Sequence, residues 1–189
     1  MRKKSQLNLD PKIFNHSLAY GGQFRRKRRG RGARPLSSKE PIHLVLKGTL
    51  ALKKWSFRLP RNHKIISELI FQFSKAYGIR IEQKAIQYDH VHLLVRVPYR
   101  TLYKRFIRRL SGQIAMYVTD ARDSAKSLKK EGLRFFKYRP FSRVVRGWKA
   151  YKTARNYVIL NEQEALRNIP YRKERLRDLN AHEWHFIWS

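Results

Sequence analysis

The chain contains no cysteine, which excludes disulfides and thiolate metal sites. Acidic residues are scarce: 13 Asp+Glu stand against 44 Lys+Arg in 189 residues, a formal net charge of +31. That surplus exceeds what solubility needs and implies a polyanionic partner, with nucleic acid the first candidate. Long apolar runs are missing too. No stretch approaches the ~18 residues of a membrane span, and the basic N-terminus carries no apolar segment of signal-peptide type. A membrane-surface protein concentrates its charge beside an amphipathic helix or a lipid signal, whereas here basic residues run along the whole chain. No internal repeat is present. Hydrophobic residues nevertheless make up 42% of the chain, enough to exclude a disordered polycation. The expectation is one domain with tails, no membrane, and a cytoplasmic, nucleoid-facing role on DNA or RNA.

Residues 1–40 read as a basic arm. The stretch from Gly21 to Pro35, with Arg25, Arg26, Arg28, Arg29, Arg31 and Arg34, is too charged and Gly-rich to pack. The expectation is an arm, disordered when free, whose arginines track phosphates or enter a minor groove. Residues 41–168 form the expected folded domain, and 169–189 an aromatic-basic tail.

Within the domain, Ile42–Gly48 reads as a first strand. Ile66, Leu69, Ile70, Phe73 and Tyr77 fall at helical spacing over 61–77, with Gly78 as the stop. Ile79–Ile86 reads as a second strand. Val91, Leu93, Val95 and Val97 then alternate with His90, His92, Leu94 and Arg96, a period of two that marks a third strand with one apolar face. Tyr103, Phe106, Ile107, Leu110, Ile114 and Tyr117 mark a second helix over 100–119, whose other face carries Lys104, Arg105, Arg108 and Arg109. Residues 120–132 are polar and read as a loop. Either 135–138 or 141–145 supplies a fourth strand, at an edge or a bulge because of Pro140. A third helix covers 148–166. The order is βαββαβ, an α+β, ferredoxin-like antiparallel sheet, with an additional C-terminal helix expected over its open face.

His90 and His92 leave the apolar face of their strand one pleat repeat apart, so two imidazoles can share one metal ion. On the third helix, Tyr157 and Asn161 lie one turn apart on one face, with small Ala150 and Ala154 on the same stripe to allow close approach to the sheet. Tyr157 offers a phenolic oxygen and Asn161 a neutral oxygen ligand. Tyr151 is the rival tyrosine on this helix, but its partner four residues on is Arg155, which is no metal ligand. His182 and His185 sit among Trp184 and Trp188, a pattern that fits docking of the tail. Arg105, Arg108 and Arg109 fit either a solvated helix face or contacts to a DNA backbone.

Asp89-His90-Val91-His92-Leu93-Leu94-Val95, followed by Tyr157-Val158-Ile159-Leu160-Asn161, resembles the single-tyrosine HUH transposases, and within them the REP-associated tyrosine transposases. The resemblance spans about 41–166. Tyr88-Asp89 stands where the family has Pro-Asn or Pro-Glu, and Glu162-Gln163 follows where it has Asn-Pro-Val. The resemblance implies a catalytic domain in which His90, His92 and Asn161 hold Mg²⁺ or Mn²⁺, the imidazoles favouring Mn²⁺. It implies that Tyr157 attacks single-stranded or hairpin DNA to give a 5′-phosphotyrosine and a free 3′-OH. Relatives act as homodimers or as monomers, and both fit this sequence. The rival class is a non-catalytic RNA- or hairpin-binding module of the same fold. Against an RNA-binding sheet, the exposed strand face offers histidines rather than stacking rings. A domesticated relative that only binds DNA hairpins is the third reading.

Overall fold

Alternation along the strands decides how the molecule is layered. The computed structural model describes residues 18–20, 34–120 and 134–188. Its elements run β1 (Ala19–Tyr20), β2 (Ile42–Lys47), α1 (Pro60–Ala76), β3 (Arg80–Ile86), β4 (His90–Arg96), α2 (Arg100–Val118), β5 (Phe141–Val144), α3 (Trp148–Leu166) and α4 (Ala181–Trp188). The strands form one antiparallel sheet in the order β1-β5-β2-β4-β3. The four strands expected from the sequence take the ferredoxin-like order fourth-first-third-second, with β1 added at one edge.

Ile42, Leu44 and Leu46 of β2 and Val91, Leu93 and Val95 of β4 point to one face. There they pack under Ile66, Leu69, Ile70 and Phe73 of α1 and Tyr103, Phe106, Leu110 and Ile114 of α2. The opposite face is covered by α3, where Val158 packs with Ala85, Leu94 and Val145, joined by Ala150, Tyr151 and Ala154. The two alanines leave the helix close enough to the sheet to bring its later residues over the histidines. The helix stop expected at Gly78 is a Schellman motif: Gly78 has φ +60°, Ile79 N donates to Ser74 O (2.8 Å) and Gly78 N to Lys75 O (3.3 Å).

One open alternative is settled and two expectations change. The fourth strand is Phe141–Val144, starting just after Pro140, which has no N–H to give a ladder. Residues 135–138 are not a strand, and the Phe135 ring packs instead at 5.9 Å from Phe57. This strand is not the sheet's edge, because Ala19 and Tyr20 pair with Arg143 and Ser142. The arm therefore contributes a strand to the domain. Arg34, expected on DNA, donates to Tyr103 Oη and Pro140 O, and its guanidinium lies over the Tyr20 ring at 4.4 Å. Two aromatic faces and a carbonyl use that guanidinium for packing. Arg25, Arg26, Arg28, Arg29 and Arg31 lie outside the described residues, as does nearly all of the 120–132 loop.

Candidate active site

Antiparallel pairing places Val45 opposite His92 and His43 opposite Leu94. His43 and His92 therefore lie on neighbouring strands, on the face that α3 covers. His92 is fully buried and His43 is 3% exposed. His43 Nε2 lies 3.0 Å from His92 Nδ1, with one nitrogen donating and the other accepting. His92 Nε2 is buried and has no partner. Burial, then repulsion from His90 and His43, holds the His92 imidazole well below its ordinary pKa, so it is neutral. Burial, then Arg143 and His90, lowers His43 to about 4.

His90 sits one pleat repeat away, its ring 4.8 Å from that of His92. Its Nδ1–H donates to Asp89 Oδ1 at 2.6 Å, which leaves Nε2 as the ring nitrogen not engaged by the carboxylate. Lys47 Nζ holds the other Asp89 oxygen at 3.3 Å. Burial pushes the Asp89 carboxyl up, but the bond from His90 and the Lys47 charge outweigh it and the net shift is downward. Asp89, the departure from the family pattern, thus orients the first histidine.

Helix α3 brings Tyr157 over this pair, its ring 5.7 Å from His92 and 6.0 Å from His43, both edge-on. Burial raises the Tyr157 hydroxyl above its ordinary pKa; Arg175 and the Asn161 side chain pull it back in part. Asn161 Nδ2 donates to Tyr157 O (2.6 Å), and Asn161 Oδ1 accepts from Arg175 Nη2 (3.1 Å). The side-chain polar contacts of Asn161 thus go to its own helix and to Arg175, its backbone oxygen accepts from Gln87 Nε2, and Tyr157 is the α3 residue set against the histidine rings. Among the described residues no three His, Asp or Glu side chains are grouped to hold a metal ion.

Helix α3 does not stop at Asn161. Without a proline after that residue it runs on to Leu166, where Arg167, at φ +66°, closes it; Asn168 N donates to Gln163 O (3.0 Å) and Arg167 N to Glu164 O (3.2 Å). The extra turn has a use. Glu164 takes Arg175 Nη1 at 2.6 Å in a pair whose side chains are 8% and 12% exposed, and Arg175 then lies over the Tyr157 ring at 5.2 Å. The tail is held down by the same segment. Ile159 and Leu160 pack with Ile169 and Ile187, and Arg172 forms a two-pronged pair with Glu183 at 2.5 and 2.6 Å. His182 and His185 stay on the outside of α4.

A hollow of about 370 Å³ opens beside Tyr157, lined among others by His43, Arg143, Arg146, Lys149 and Thr153. Arg105, Arg108 and Arg109 lie elsewhere: α2 covers the opposite face of the sheet, so the sheet itself separates them from Tyr157. Tyr151 is directed to Glu82 and stacks on Trp148 at 5.5 Å, away from the histidines.

Residues 53–161 match the family model for IS200-like transposases. The chain belongs to that family. The fold of this transposase matches a REP-associated tyrosine transposase solved with a REP hairpin, at a TM-score of 0.50 and 12% identity, over 85% of this chain and 92% of that one. A Deinococcus radiodurans protein described as a transposase aligns at a TM-score of 0.41 and 14% identity, over 71% of this chain and 98% of its own. No curated protein matches the transposase sequence. No helix among its described residues is long and apolar enough to cross a membrane.

Sequence reasoning missed His43, Arg175, and the Arg143/Arg146/Lys149 wall. A histidine in an otherwise apolar strand was the available signal for His43. Arg175 comes from an irregular segment with no period to read.

Proposed function

We propose that this transposase cuts and rejoins single-stranded DNA beside hairpins, through a divalent metal and a 5′-phosphotyrosine on Tyr157. The observation that carries the reading is the buried, unpartnered Nε2 of His92 lying in a site closed over by the Tyr157 ring. A buried polar nitrogen without a partner is uncommon and calls for an explanation such as an ion. The residues fit one. His90 is oriented by a carboxylate and His92 by a second imidazole, the supporting arrangement that ligating histidines use. Two imidazoles suit Mn²⁺ or Mg²⁺, and Asn161 Oδ1 would join them as the third ligand on giving up its bond from Arg175. Such an ion supplies neutralisation of a non-bridging phosphate oxygen.

The chain's own residues do the rest. Arg143, Arg146 and Lys149 draw a strand's phosphates along the hollow. The Tyr157 oxygen forms a bond to phosphorus as the bond to the 3′ oxygen breaks. The proton lost by the phenol is matched by the one gained at the released 3′-OH. Arg175 favours the phenolate by its charge. Attack by another 3′-OH reverses the sequence and joins strands without external energy. Hairpin DNA as the partner is supported by the ligand of the REP-associated neighbour.

The test is a covalent adduct between the protein and labelled single-stranded DNA with Mn²⁺ present. His90→Ala and His92→Ala are expected to abolish the adduct and leave hairpin binding largely intact, since both side chains lie outside the main core. Adduct formation at the wild-type rate by either variant would contradict the metal assignment.

A further inference from the structure

A second hollow, of about 520 Å³, lies at the start of α3, lined by Glu40, Arg80, Glu82, Arg96, Trp148 and Tyr151 among others. Two unusual features meet there. The first is Glu82. Ile81 pairs with Val95 and Gln83 with Leu94, so Glu82 is the extra residue of a β-bulge, a device that re-aims a side chain and is common beside functional sites. Its side chain is only 6% exposed, and Oε1 takes Arg96 Nε at 2.5 Å, with Arg80 Nε at 4.0 Å. Oε2 is buried and takes no bond from the arginines; the Tyr151 hydroxyl is the group directed toward this carboxylate. The second feature is Trp148. It is 68% exposed, which is unusual for so large a ring. Tyr151 backs it at 5.5 Å in a nearly parallel stack, and Lys152 Nζ lies 5.4 Å from its centre.

We infer that this hollow binds one unpaired guanine of the DNA strand. An exposed indole stiffened by a second ring is a platform for a base, which stacks on it whatever its sequence. Lys152 stands where the adjoining phosphate is neutralised. Glu82 supplies selectivity. A carboxylate accepts from the guanine N1–H and its neighbouring amino group, and guanine O6, next to them, accepts from the exposed Arg80. Adenine and cytosine place a ring-nitrogen acceptor beside their amino group, and thymine flanks its single N–H with two carbonyl oxygens; each repels a carboxylate. Trp148 and Tyr157 are nine residues apart on one helix, about 13 Å along its axis, so the bound guanine lies a few nucleotides from the phosphate that is attacked. The inference rests on the single-stranded DNA reading above.

The test uses the full chain in metal-free buffer and fluorescein-labelled oligothymidylate of about a dozen nucleotides, with a single internal guanine, adenine or cytosine, or none. Fluorescence anisotropy gives each affinity. The guanine strand is expected to bind about tenfold more tightly than plain oligothymidylate. Glu82→Gln should erase that preference while oligothymidylate binding stays within about twofold. Trp148→Ala, a surface change that leaves the fold intact, should weaken the guanine strand by about tenfold, and Trp148→Phe should restore most of it. Equal binding of all four strands, tighter binding of adenine or cytosine, or a guanine preference that survives Glu82→Gln would overturn the inference. A guanine preference without any Tyr157 adduct sinks only the catalytic reading, and an adduct without the preference sinks only this pocket.

Discussion

His43 Nε2 meets His92 Nδ1 at 3.0 Å across the β2–β4 ladder. That hydrogen bond fixes the buried imidazole so that its other nitrogen faces the site under Tyr157. On the proposed metal reading, His43 is a positioning residue acting through His92. His43→Phe keeps the packing and removes the hydrogen bond. It is expected to raise the Mn²⁺ concentration for half-maximal adduct formation by about 10–100-fold, the usual cost of removing such a support. Saturating Mn²⁺ should restore most of the rate. An unchanged metal requirement would mean that His43 is only a core residue.

Arg175 and Glu164 form a nearly buried pair that pins the tail over Tyr157. Arg175→Ala leaves the Glu164 carboxylate buried without its partner, at a cost of about 3 kcal/mol. The melting temperature should fall, and amide exchange across α4 should rise. Glu164→Gln combined with Arg175→Met should recover part of the loss. An Arg175→Ala melting temperature equal to wild type would show the pair to be dispensable, and an equal loss in the single and double variants would show that the unpaired carboxylate is not the cause.

The arm needs a charge test, because truncation confounds two roles. Removing residues 1–34 takes away β1 and the packing of Arg34 on Tyr103 and Tyr20, so it should lower thermal stability as well as DNA binding. Replacing Arg25, Arg26, Arg28, Arg29 and Arg31 with Gln leaves that packing in place. For every phosphate that no longer meets an arginine, the slope of log affinity against log salt should flatten by about 0.7 on single strands. A slope unchanged in the five-fold variant would remove the arm from the DNA interface.

Much of this was legible in the sequence. Val91, Leu93 and Val95 alternate so regularly that both the strand and the placing of His90 and His92 on its opposite face followed. Tyr157 and Asn161 share a face because a helix repeats every 3.6 residues. What local pattern does not encode is which elements meet. The face of His43 becomes informative only once Val45 is known to pair with His92. The helical spacing put Arg105, Arg108 and Arg109 on a surface, but only the layering puts that surface on the far side of the sheet. Ala19–Tyr20 is too short a strand to show a period at all, and Arg34 reads as arm charge until its aromatic partners fold around it.

The central claim is that Tyr157 is the nucleophile, and peptide mapping of DNA-linked protein tests it most directly. Wild-type protein, Tyr157→Phe and Tyr151→Phe are incubated with labelled single-stranded hairpin DNA and Mn²⁺, digested, and the DNA-bearing peptide is sequenced. The account predicts a 5′-phosphate linked to Tyr157 in wild type and in Tyr151→Phe, and no adduct at all in Tyr157→Phe, whose ring still packs against His92. A linkage to Tyr151, Tyr138 or Tyr171, or an adduct that survives Tyr157→Phe, would contradict it.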